Sequence, residues 1–138
     1  MAQLAKEKDS TLAAIATKSL KEVNYHCRWS GEWILRLGDG TTESHTRLVA
    51  ALENLWPYTG ELFKGVEYEL ALGIDPSALY TPWFSAVQST FEEATLSLAP
   101  VASCFMQLGG KTGIHTEELG YILADLQYMQ RAYPGCDW

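Results

Sequence analysis

The sequence predicts an all-α chain that makes up only part of a helical bundle, and three observations predict it. Apolar positions recur every three or four residues along two long stretches. Gly38-Asp39-Gly40 joins those stretches as a tight turn, which makes the two helices antiparallel neighbours. No segment shows the strict alternation of a strand.

The 138 residues, 47% hydrophobic and 20% charged, fit one globular helical domain spanning 1–138 rather than a disordered chain. The net charge of -7 repels phosphate backbones and anionic lipid surfaces, so neither nucleic acid nor membrane is expected as a partner. No apolar run reaches the roughly 20 residues of a membrane span. Met1–Asp9 mixes lysine with acid and lacks the apolar stretch of a secretion signal, so a cytoplasmic protein is expected. Cys27, Cys104 and Cys136 are scattered, form no Cys-x-x-Cys pair, and read as reduced thiols.

The first helix is expected over Thr11–Leu37, capped by Asp9 or Ser10, with Gly38 left-handed after its end. Its stripe is Leu12, Ile15, Ala16, Ser19, Val23, His26, Ser30, Trp33, Ile34 and Leu37. At 1.5 Å per residue it is about 40 Å long, a length typical of bundles. Thr41 or Thr42 caps the second helix, whose stripe is His45, Leu48, Leu52, Leu55, Thr59, Leu62 and Val66. Pro57 removes a backbone donor inside that pattern, which predicts a kink or break near Trp56.

Gly73 ends the element, and Asp75-Pro76 reads as the cap and first position of a short helical turn. Thr81-Pro82 repeats the signal and opens a third helix, Pro82–Leu98, with Phe84, Val87, Phe91, Ala94 and Leu98 inward and Pro100 closing it. Val101–Gly113 has no period and reads as a long loop. A fourth helix opens at Thr116, turns Leu119, Ile122, Leu123, Leu126, Met129 and Tyr133 inward, and stops at Pro134-Gly135.

Histidine and carboxylate spacing carries the only chemistry. Glu22 and His26 lie one helical turn apart and read as a buried polar pair. A carboxylate di-iron bundle needs Glu-x-x-His on two helices and two further carboxylates, and no glutamate here has a histidine three residues on. No metal ligand, cofactor ligand or catalytic residue is therefore assigned to this chain. Gly110-Lys111-Thr112 resembles the end of a phosphate-binding loop, but Phe105 occupies the first glycine position and no strand precedes it.

Trp33, Trp56 and Trp83 read as core or hinge, whereas Trp29 lies on a second flank of the first helix. Two helices of about 40 Å cannot both be covered by shorter ones, so a second polypeptide is expected to complete the bundle. Trp29, Trp33, Leu48, Leu52 and Leu55 are the expected contact residues.

Lys21–His26, Trp33–Thr41, Leu55–Phe63, Gly109–Gly120, Leu126–Arg131 and Pro134-Gly135 together resemble the C subunits of bacterial phenylacetyl-CoA 1,2-epoxidases. The resemblance runs from about Leu12 to Trp138 and implies a ferritin-like bundle. It implies a structural subunit without a working metal site, paired with a homologous subunit that holds a di-iron centre and binds the CoA thioester. That assembly converts the ring of phenylacetyl-CoA to an epoxide with oxygen and with electrons from a reductase. Members of the family are longer and match here through their C-terminal part, which implies an incomplete half-bundle and self-association when alone. Two other readings stay open: a self-assembled metal enzyme using Glu22 and His26 from two copies, and a CoA-ester binding module using Lys111, Arg131 and the glycine loop.

Overall fold

The computed structural model describes residues 1–98 and 103–137. Pro100, Trp138 and the first residues of the loop predicted from Val101 lie outside them. The regular structure among the described residues is entirely helical. The chain forms two units, Met1–Gln107 and Leu108–Trp138.

In the first unit, a 3₁₀ turn over Leu4–Lys6 precedes helix α1, Ser10–Gly38. The Asp9 carboxylate accepts from the amides of Thr11 at 2.8 Å and Leu12 at 2.9 Å, satisfying two donors left open by the first turn. At 29 residues the helix is about 43 Å long.

Gly38 is not the left-handed terminator the sequence predicts; it is the last helical residue and is buried. Its role is close approach. A Cβ there would stand 2.9 Å from that of Ala94 and press into the Ala94 carbonyl.

Helix α2, Thr42–Leu55, starts on a capping box. Thr41 Oγ1 accepts from the Ser44 amide at 3.1 Å, and Ser44 Oγ accepts from the Thr41 amide at 2.9 Å. The start of α2 also serves the end of α1. The Ser44 hydroxyl donates to the Leu37 carbonyl at 2.8 Å, and His45 Nδ1 lies 2.9 Å from that of Gly38. A carbonyl only accepts, so Nδ1 carries the hydrogen.

The break at Trp56 is complete. Trp56–Tyr58 and Gly60–Phe63 are 3₁₀ turns, so α2 covers about 21 Å and does not continue to Val66 as the periodicity predicts. Gln107 donates its amide to the Pro57 carbonyl at 2.8 Å, which fastens a later segment to this break.

Helix α3, Glu67–Ala71, is opened by the Glu69 carboxylate, which accepts from the Val66 amide at 3.2 Å. It ends on Gly73 at φ +69°, with the Ile74 amide reaching the Glu69 carbonyl at 3.0 Å. Asp75 then caps the turn Pro76–Leu79 as expected, accepting from the Ser77 amide at 2.9 Å and hydroxyl at 2.6 Å.

Helix α4, Tyr80–Glu93, begins before Thr81-Pro82 and ends five residues short of the predicted Leu98. The stop is a Schellman motif with threonine where glycine is usual. Thr95 has φ +60°, its amide donates to Glu92, and the Leu96 amide reaches the Phe91 carbonyl at 2.8 Å.

Aromatic side chains gather where α4 meets the Trp56 break. Trp56 lies 5.6 Å from Trp83 and 6.4 Å from Phe91 between ring centroids, and Phe63 lies 4.9 Å from Trp83. Core packing thus holds for Trp56, which is buried, and for the half-buried Trp83. It fails for Trp33, which is 42% exposed.

In the second unit, α5 spans Glu118–Leu126 and α6 spans Tyr128–Ala132, separated at Gln127 where ψ reaches 0°. The predicted inward stripe of this pair is not buried. Leu119 is half-buried, while Ile122, Leu123, Leu126, Met129 and Tyr133 are exposed.

The chain exposes 10404 Å². A closed globule of 15.4 kDa exposes about 7,200 Å², and two separate closed bodies of these sizes about 8,400 Å². The surface therefore exceeds either expectation by roughly 2,000 Å² or more. Ala16, Trp56, Pro76, Ala94 and Leu96 are the buried apolar side chains among the described residues.

Candidate functional site

The polar pair and the expected contact residues fall on one face of α1 and on α2, whereas Lys111 and Arg131 belong to the second unit. Helical spacing places Glu22, Tyr25, His26, Trp29, Trp33 and Arg36 along a common side of α1, because steps of three and four residues return to the same flank. The structure brings Glu22 and His26 together, with 3.4 Å between Glu22 Oε1 and His26 Nε2.

The pair is not buried. The two side chains are 73% and 64% exposed. A one-turn pair so exposed contributes a few tenths of a kcal/mol and draws no desolvation from its surroundings.

The aromatic rings of this face contact one another rather than a core. Trp29 and Trp33 meet edge to face at 6.2 Å, with the Arg36 guanidinium 5.5 Å from the Trp33 centroid. Tyr25 lies 5.9 Å from the His26 ring and carries the Arg28 guanidinium at 5.8 Å. Tyr25, Trp29 and Trp33 are each about half exposed. Local ring stacking pre-orders these side chains, so covering them costs less entropy than ordering free ones.

On α2, Leu48 and Leu52 are half-buried and Leu55 is 66% exposed. Leu37, Leu48 and Ala51, with Thr41, Glu43, Ser44 and Arg47, line an open cleft of about 350 Å³ where α1 turns into α2. The expected contact residues are thus split between an open face, Trp29, Trp33 and Leu55, and positions already partly occupied by the hairpin itself.

Metal chemistry finds no fit in these residues. Among the described residues, no three His, Cys, Asp or Glu side chains come close enough to hold one ion. A dinuclear centre needs facing carboxylates from several helices, whereas Glu22 and His26 share one helix and face outward. The cysteines are unpaired, with Cys27 and Cys136 exposed and Cys104 half-buried.

The glycine loop is explained by its own turn. Gly109 and Gly113 have φ of +116° and +90°, and a Cβ on Gly109 would stand 2.8 Å from that of Ile114. The Thr112 hydroxyl donates to the Gly109 carbonyl at 3.0 Å.

Hydrogen bonds from the Ser77 hydroxyl and amide hold the Asp75 carboxyl below the usual aspartate range, and the Thr116 hydroxyl does the same for Glu118. Both stabilise local turns.

Sequence reasoning missed the Gly38 carbonyl as a junction. It receives His45 from α2, and the Thr95 hydroxyl approaches it at 3.5 Å. The signal available was a glycine followed seven residues later by a histidine, which periodicity assigned to the apolar stripe.

No helix among the described residues is long and apolar enough to cross a membrane. Comparison with known proteins matches residues 1–138 to the family model described as phenylacetic acid catabolic protein. The chain is 41% identical over 141 residues to the C subunit of the 1,2-phenylacetyl-CoA epoxidase of Escherichia coli strain K12. The alignment covers 99% of this chain and 56% of that relative, so the chain spans little more than half the relative's length. With the whole sequence inside the family match, this chain belongs to the phenylacetic acid catabolic protein family.

Proposed function

We propose that the chain is a structural, non-catalytic component of a multicomponent phenylacetyl-CoA 1,2-epoxidase, acting in the cytoplasm in aerobic phenylacetate breakdown. In this reading it adopts part of a ferritin-like bundle that a second polypeptide completes. The partner is a homologous subunit that carries the di-iron centre and the CoA thioester; alone, the chain associates with itself. The observation that carries the reading is the identity to an epoxidase C subunit across nearly the whole chain.

Three features of the residues support the finer assignment. No glutamate has a histidine three positions on, so the donor pattern of a di-iron helix pair is missing from the sequence. Glu22 and His26 point outward together from a single helix. The face beside them is aromatic and open, which suits contact with protein.

The chain's work in such an assembly is mechanical. A 43 Å helix braced at one end by the Gly38 junction offers a rigid surface against which a metal-bearing bundle can hold its own helices in register.

Co-expression with a homologous subunit containing Glu-x-x-His tests the proposal. The expected result is co-purification, iron that follows the partner, and epoxidation of phenylacetyl-CoA only by the assembly supplied with reductase. Iron near one equivalent per chain in the lone protein, lost on Glu22→Ala, would overturn it.

A further inference from the structure

The α1 face has a property that contact with a different protein does not require: it is complementary to itself. Tyr25 and Trp33 lie four residues to either side of Trp29, and Glu22 and Arg36 lie seven to either side. An antiparallel copy related by a two-fold axis at Trp29 therefore sets Tyr25 against Trp33 twice and Glu22 against Arg36 twice. Acid meets base and ring meets ring at every position.

All five side chains stand within about 40° of the Trp29 direction at 100° per residue, so they form one seam. The three rings are open, with Tyr25 50%, Trp29 51% and Trp33 42% exposed. Like-signed net charge opposes self-association in general, but along this seam the charges alternate in sign.

We infer that the lone chain forms an isologous dimer in which α1 pairs antiparallel with α1 of a second copy, the two-fold axis passing at Trp29. The inference deepens the self-association in the proposed function by giving it a surface and a register. Facing helices with axes about 9–10 Å apart leave about 4.4–5.4 Å between Cα atoms at the axis, within reach of a disulfide. Cys27, two residues away, points about 160° from the seam.

The experiment uses the full chain with Cys27, Cys104 and Cys136 replaced by serine, with and without Trp29→Cys. Mild oxidation is expected to convert the Trp29→Cys protein to a covalent dimer, while a variant keeping only Cys27 stays uncrosslinked. In sedimentation of the unoxidised chain, Glu22→Arg is expected to weaken the dimer at least ten-fold, and Glu22→Arg with Arg36→Glu to restore it. Circular dichroism confirms that each variant stays helical.

Crosslinking through Cys27 in preference to the thiol introduced by Trp29→Cys, or a double variant as weak as the single one, would overturn the register. A chain that stays monomeric, and covers Trp29 only when a metal-bearing homologue is added, would overturn self-pairing while leaving the structural role within the epoxidase standing.

Discussion

Gly38 and Ala94 lie so close that a Cβ on the glycine would stand 2.9 Å from the Cβ of the alanine, although 56 residues of chain separate them. That contact locks the end of α1 to the end of α4. Replacing Gly with Ala inside a helix ordinarily stabilises by about 1 kcal/mol. Gly38→Ala is expected to do the reverse, costing roughly 1–3 kcal/mol through overpacking. Gly31, also within α1, has nothing within 4 Å of its added Cβ, so Gly31→Ala should stabilise by about 0.5–1 kcal/mol. Urea unfolding of the two variants checks the opposite signs.

Thr95 adopts φ +60°, a region that a β-branched residue occupies at a cost of about 1–2 kcal/mol. Its hydroxyl reaches the Gly38 carbonyl only at 3.5 Å, too long to offset that strain. Thr95→Gly should raise the urea midpoint, by about 1 kcal/mol in stability. A lower midpoint would show that the threonine contact matters more than the strain.

Trp56 is the buried hub of the aromatic group and Trp29 the exposed centre of the α1 face. Trp56→Ala is expected to destabilise by about 3–5 kcal/mol and to flatten the near-ultraviolet dichroism. Trp29→Ala should change the stability of the isolated fold by less than about 0.5 kcal/mol while altering its association.

The Asp75 carboxyl is held low by Ser77, so its folded midpoint lies below its unfolded one. The stabilisation is then fully present above the ordinary aspartate value of about 3.9 and is lost as the pH falls through the folded midpoint. Carbon-detected titration of Asp75 should show that lowered midpoint, and Ser77→Ala should move it upward.

Helix identity was legible where local chemistry decides it. Asp9, Thr41 and Asp75 mark starts because their side chains answer amides within three residues, and Pro57 marks a break because it lacks a donor. Gly73 and Thr95 stop helices with the same motif, yet only the glycine announces itself in sequence. Depth was less legible than helix type. Apolar periodicity predicts a face that prefers cover, and it gives the same signal whether the cover comes from this chain or another. That is why Ile122, Leu126 and Trp33, read as inward, are exposed here, and why the Glu22–His26 pair forms in the open.

This polypeptide leaves apolar helix faces uncovered, and the role proposed for it depends on a second chain covering them. Light scattering coupled to size exclusion, on the lone protein at micromolar concentration, tests that most directly. A molar mass at a multiple of 15.4 kDa is predicted. A sharp peak at 15.4 kDa, with no dependence on loading concentration, would contradict self-association of the lone chain and leave cover by the homologous subunit as the remaining route.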